Sequence, residues 1–258
     1  SHALGFIDYT NDFEQGVILD FDDLDYDKPQ TIFPSPKNRL QIFELAVSKE
    51  FLDKVFQGRK IYFSEQTDTP IYNDLQFDNI LFFDGKDKLG AFHKAKEMGM
   101  NALVDRDYLT DEEIVQLKNV YPFLRFTPYY NIETLYYHPD NLEEYYHSLG
   151  KDFDKNAYVA AIQNDKDSQI AYISGGVAKA RDGYPFYKEN GNDARLKAFK
   201  KNTDGIIDML LSSDFETFYK VYNAKEYGKN ITARQNINRL DLTKTNWFKS
   251  QIEKAIGE

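Results

Sequence analysis

Four short apolar runs recur through the middle of the chain: Lys60-Ile61-Tyr62-Phe63-Ser64, Ile80-Leu81-Phe82-Phe83, Ala102-Leu103-Val104 and Phe123-Leu124-Arg125-Phe126. Stretches with helical signals lie between them. Leu89 to Met98 follows the second run, and Thr110-Asp111-Glu112-Glu113, a capping-box pattern, opens the segment after the third. Ile132-Glu133-Thr134-Leu135 reads as a further helix after the fourth. Strands that alternate with helices pair in parallel, because a parallel connection has to cross the sheet. Runs that are apolar throughout, instead of at every second residue, are strands covered on both faces. The expected fold class is therefore α/β, a Rossmannoid parallel sheet flanked by helices.

A length of 258 residues fits one large domain or two small ones. Proline between Pro29 and Pro36 marks a linker, which sets off an N-terminal arm over residues 1–36. From Arg39, Leu40, Phe43, Leu45, Val47, Phe51, Leu52, Val55 and Phe56 follow a helical period that Gly58 stops, so the α/β domain is placed at 37–150. Helical patterns at 157–163, 193–201, 205–211, 215–222 and 246–256 make 151–258 a mainly helical C-terminal subdomain. The chain has no cysteine, which excludes disulfides, thiolate metal sites and cysteine nucleophiles. It carries neither an apolar run of membrane length nor a signal-peptide pattern, and a soluble, cytoplasmic protein without a membrane partner is expected.

The acids are where the chemistry concentrates. In an open parallel sheet, ligands bind outside the carboxyl ends of the strands. Glu65 and Asp68 follow the first run, Asp84 and Asp87 the second and Asp105 and Asp107 the third, while Glu133 opens the element after the fourth. Alternation along an extended Asp105-Arg106-Asp107 sends the two carboxylates to one side and Arg106 to the other. Oxygen-only ligands select Mg²⁺, Mn²⁺ or Ca²⁺ over zinc, and a partly hydrated Mg²⁺ (or Mn²⁺) suits phosphodiester cleavage. The formal charge of −10 is uneven: residues 179–258 hold 15 Lys/Arg against 11 Asp/Glu, or +4, leaving −14 on the rest. Lys86, Lys88, Lys200 and Lys201 are thus candidate contacts for phosphates, although Lys200 and Lys201 also read as a solvated helix face.

Other features read more plainly. His93, His138 and His147 sit among aromatics at irregular spacing and fit packing or surface roles; the Asp20–Asp27 run lacks the Gly and Glu of a calcium loop. Ser174-Gly175-Gly176 reads as a turn. Tyr129-Tyr130, Tyr136-Tyr137 and Tyr145-Tyr146 read as core and rim packing, with stacking on unpaired bases as the alternative. No Gly-x-x-x-x-Gly-Lys-Ser/Thr occurs, so ATP hydrolysis by this chain alone is not expected.

Taken in order, strand-Glu65, strand-Gly85, strand-Asp105-Arg106-Asp107 and strand followed by Asn131-Ile132-Glu133 resemble a TOPRIM domain of the OLD-nuclease and phage-defence type. The likeness covers roughly residues 58 to 140, with a weaker echo in Thr245-Asn246-Trp247-Phe248-Lys249. It implies that Glu65, Asp105 and Asp107 hold Mg²⁺, that Glu65, Asp105, Asp107 and Glu133 form the catalytic acid set, and that nucleic acid, DNA more than RNA, is the substrate. It also implies an ABC-type ATPase domain or subunit as partner, with a homo-oligomer as a further possibility. Ser1-His2 would then be the end of that ATPase's switch region, or else a tag remnant. The first motif departs from the family's Glu-Gly pattern: Gln66 replaces Gly and Asp68 comes one residue early. Either Glu65 serves in a shortened loop or the register has slipped onto Ser64, so an active nuclease module and a catalytically degenerate regulatory or assembly module are both expected readings.

Overall fold

The computed structural model describes residues 3–7, 16–20, 58–182, 203–232 and 235–257. The helix expected over 39–57, the proline linker, the acidic Asp20–Asp27 run beyond Asp20, and Lys200 and Lys201 lie outside these residues. Strands β1 (Ala3–Ile7) and β2 (Gly16–Asp20) pair antiparallel. The expected runs become β3 (Lys60–Ser64), β4 (Ile80–Asp84), β5 (Asn101–Val104) and β6 (Leu124–Phe126) of a four-stranded, all-parallel sheet in the order β4-β3-β5-β6. The fold is α/β and Rossmann-like, with a helical C-terminal part.

Both faces of the sheet are buried, and alternation assigns each strand residue to one of them. Ile61, Phe63, Ala102, Val104, Leu124 and Phe126 pack with Ala91, Phe92, Ala95 and Leu117 from α2 (Lys88–Met98) and α3 (Asp111–Val120). Tyr62, Phe82 and Leu103 face the other way, into a larger core shared with Tyr72 of α1 (Thr69–Asp74) and with the C-terminal helices. Tyr62 donates its hydroxyl hydrogen to the Ile256 carbonyl, 3.2 Å away, which ties the central strand to the last helix. At the outer strand β4, the Asn73 side chain pairs with both the N–H and the C=O of Phe82, at 3.0 and 2.9 Å, and so blunts a sheet edge.

Beyond β6 run α4 (Ile132–Tyr136), α5 (Pro139–Ser148), α6 (Lys155–Asp182), α7 (Asp204–Leu211), α8 (Phe215–Tyr219), α9 (Lys229–Thr232), α10 (Arg239–Leu242) and α11 (Asn246–Ile256). One expectation is corrected here. Ser174-Gly175-Gly176 is no turn but lies inside the 28-residue α6. Ile173 and Val177 are fully buried on either side of it, and a Cβ on Gly176 would come within 2.7 Å of the Tyr227 hydroxyl. Packing on both sides overrides the helix-breaking tendency of the glycines. Near its end, α6 presents Arg181, 4% exposed, to the Tyr108 carbonyl at 2.5 Å and to both oxygens of Glu113 at 2.5 and 2.9 Å. The helical part thereby grips the loop that follows β5.

Candidate functional site at the carboxyl ends of the strands

The strand order fixes where a ligand fits. From β3 the chain goes outward to β4, then crosses back to β5 on the other side of β3, so the connections diverge between β3 and β5. Such a switch point opens a crevice at the carboxyl ends of the two strands. Glu65 immediately follows β3 and Asp105 immediately follows β5. Together with Asp87, Lys88, Leu89 and Asp107 they line a cavity of about 360 Å³.

The loop after β3 is tight. Ser64 Oγ and Thr69 Oγ1 lie 2.7 Å apart, Thr69 Oγ1 donates to the Glu65 carbonyl at 3.0 Å, and the N–H groups of Asp68 and Thr69 reach the same carbonyl at 3.0 Å. Ser64 is therefore committed to the turn and fully buried, and Glu65 is the residue that lines the crevice. The shortened loop has a second effect: Asp68 is drawn inside, 7% exposed. Sequence reasoning placed Asp68 after the first strand but one residue early for the family motif; the local fold brings it close enough that its charge adds to the burial that raises Asp105, while burial and Glu65 raise Asp68 itself.

The loop after β5 departs from alternation. The strand stops at Val104, and Asp107 adopts a left-handed backbone with φ 49°, a conformation that Asp tolerates better than most residues. Its N–H donates to the Tyr130 carbonyl at 2.8 Å, and its carboxylate is ion-paired with Lys88. A turn, not strand alternation, brings Asp107 back to the cavity that Asp105 lines. Arg106 does point away, into the protein: its Nε donates to the Leu109 carbonyl at 2.9 Å and its guanidinium pairs with Asp111 at 2.8 Å.

Burial of so many acids has an electrostatic cost. Burial, then the neighbouring charge of Asp68, raises the Asp105 carboxyl well above the carboxylate range, partly offset by Lys88. Glu65 is raised by burial and by Asp107, Asp87 and Glu133, again with Lys88 opposing. Asp68 is pushed up to about 7 by burial and by Glu65. One oxygen of Asp105, Oδ1, is out of solvent without a hydrogen-bond partner. An orphaned carboxylate oxygen beside further carboxylates fits a hard cation, since nothing in the site competes as a soft ligand.

The remaining sequence candidates are placed as follows. Glu133 lies at the start of α4 and pairs with Lys225; it reaches the crevice through its charge and is not part of the lining. Asp84 accepts from the Lys86 N–H at 2.5 Å, and Asp87 caps α2 through the Gly90 N–H at 2.8 Å. Lys86 is exposed, whereas Lys88 is 7% exposed and faces carboxylates. Among the described residues, His138, Asp140 and Glu216 are the acids and histidine whose ligand atoms all come within 4.8 Å of one another, a triad able in principle to hold a metal ion. The crevice acids share a cavity without closing to that spacing. His138 is stacked on Trp247 at 4.4 Å, its Nδ1 accepts the Asp140 N–H at 3.2 Å, and Lys155 sits 2.5 Å from the Asp140 carboxylate. These contacts engage His138 Nδ1 and Asp140, whereas His138 Nε2 is buried without a hydrogen-bond partner, 3.3 Å from the Glu216 carboxylate.

No family model, curated protein or solved structure matches the chain.

Proposed function

We propose that the crevice between β3 and β5 is a divalent-metal site for phosphodiester hydrolysis in nucleic acid, and that the chain is the TOPRIM-type nuclease module of an ATPase-coupled anti-phage system. The observation that supports this best is the single cavity lined by Glu65, Asp105 and Asp107 at the switch point of a parallel sheet. Glu65, Asp105 and Asp107 would hold Mg²⁺ or Mn²⁺, which when bound supplies Lewis-acid polarisation of a phosphoryl oxygen and a more acidic water. Asp68, whose carboxyl titrates at about 7 beside Glu65, is suited to hold or release a proton next to the reacting groups at neutral pH. Glu133 stays outside the lining and adds negative potential. Exposed Lys86, on the rim-side loop after β4, is the lysine suited to a phosphate of bound DNA or RNA.

The ion pair between Lys88 and Asp107 favours a second reading, in which the fold persists as a regulatory or assembly module of an ABC-type ATPase and an internal ammonium has replaced the metal. Incubation of the chain with plasmid, linear DNA and RNA in Mg²⁺ or Mn²⁺ separates the two. The nuclease reading expects cleavage that Asp105→Ala and Asp107→Ala each abolish. Cleavage indifferent to both substitutions removes the assignment, and absence of cleavage with any ion, ATPase partner included, leaves the regulatory reading.

A further inference from the structure

We infer that Lys88 is a displaceable internal cation: a divalent ion entering the crevice expels its ammonium from Asp107, and the released side chain turns to the cavity mouth to meet an anionic ligand. This rests on reading the crevice as a divalent-metal site. Lys88 is the first residue of α2, directly after the capping Asp87. A cation is disfavoured at that end of a helix, where the exposed N–H groups already carry partial positive charge. Burial of the side chain to 9% exposure adds a desolvation cost. The acidic lining works against these costs. The ammonium pairs with Asp107 and lowers the proton affinity of both Asp105 and Glu65.

One ammonium does not relieve that lining by itself. Glu65, Asp105 and Asp107 bring three carboxyl groups to one cavity, where a proton or a further cation has to offset their repulsion, and Asp105 Oδ1 remains without a hydrogen-bond partner. The crevice therefore keeps an attraction for added positive charge, with a buried acceptor oxygen unused. A dication held by Asp107 would stand within a few ångström of the ammonium that now occupies that carboxylate, and their repulsion is strong out of water. Lysine resolves the conflict without moving the backbone. Its four-carbon stem is flexible, while the start of α2 is fixed by the Asp87 to Gly90 hydrogen bond at 2.8 Å. Swinging outward, the ammonium leaves Asp107 for the cavity mouth, where a phosphate would lie.

Two measurements on the full chain test this, with Mn²⁺ as the probe. In calorimetric titration, Lys88→Met binds Mn²⁺ more tightly than the wild type, on the order of tenfold or more, because the competing charge is gone. In amine labelling read by mass spectrometry on the unaltered chain, modification of Lys88 relative to exposed Lys86 is low in chelator and rises several-fold with saturating Mn²⁺. The labelling decides the matter even where Lys88→Met does not fold. Equal or weaker Mn²⁺ binding by Lys88→Met, or Lys88 labelling that Mn²⁺ leaves unchanged, overturns the displacement role. If both proteins bind Mn²⁺ alike, the metal-site reading stands and only the role of Lys88 falls; if neither binds it, both fall.

Discussion

Replacing Asp68 with Asn isolates the electrostatic cost of the crevice. In the folded chain this carboxyl keeps its proton up to about pH 7, against 3.8 as its ordinary value. Between those limits the folded state binds more protons than the unfolded one, so stability falls as pH rises through the window. At about 1.4 kcal/mol per tenfold change in proton affinity, a carboxyl so displaced costs the fold about 4 kcal/mol by pH 8. An amide has no charge to bury and can still accept the Thr67 hydroxyl, 3.0 Å from Oδ1 in the wild type. A buried amide and a buried neutral carboxyl pay a similar desolvation, so that cost cancels. Asp68→Asn should therefore be more stable than wild type by about 3 to 4 kcal/mol at pH 8 in chelator, the advantage shrinking to below about 1 kcal/mol near pH 4, where the folded carboxyl keeps its proton and the unfolded one, at its ordinary value of 3.8, is about half protonated. The assay is urea denaturation at closely spaced pH values from 4 to 8. Its slope should flatten without vanishing, since Glu65 and Asp105 are also raised. A variant less stable than wild type at pH 8, or an unchanged slope, refutes the reasoning.

Three further outcomes are expected. Arg181→Met removes the buried guanidinium from Glu113, whose side chain is only 12% exposed and which keeps the Thr110 N–H at 2.9 Å, and takes a donor from the Tyr108 carbonyl; it should cost about 3 to 5 kcal/mol in chemical denaturation. Gly85→Ala puts a Cβ 2.5 Å from the Cα and Cβ of Ala91, so α2 must retreat from the sheet, with a loss of about 1 to 3 kcal/mol and weaker Mn²⁺ binding at the nearby crevice. His138→Phe keeps the ring stack on Trp247 but leaves the Asp140 N–H without its acceptor, and should cost about 1 to 3 kcal/mol.

The parallel sheet was legible because its strands are continuous apolar runs separated by helix-length segments, and Ile61, Tyr62 and Phe63 are indeed buried, with alternate residues on opposite faces. The crevice acids were legible because position after a strand is a property of sequence order. What sequence order hides is the fate of each side chain in the loops. Asp107 reaches the cavity through a left-handed residue that no periodicity announces. Lys88 reads as a candidate phosphate contact at a helix start until the carboxylates around it are seen. Asp68 was read as misplaced relative to a motif, yet the turn that Ser64 and Thr69 close folds it inward. The Ser174-Gly175-Gly176 stretch follows the same logic in reverse, since local breakers yield to contacts with Tyr227 more than 50 residues away. For Asp107, Lys88 and the glycines the deciding partner is distant in sequence, whereas the turn that folds Asp68 inward is local but carries no periodicity to announce it.

The central claim is that the carboxylates at the switch point between β3 and β5 hold a hard divalent cation. Calorimetric titration of Mn²⁺ into the chain and into Asp105→Asn, both at pH 7.5, tests it most directly. The account predicts saturable binding by the wild type and its loss in the variant, because Asp105 supplies the buried acceptor oxygen that lacks any other partner. Binding of equal strength in both proteins, or none in the wild type, would contradict it.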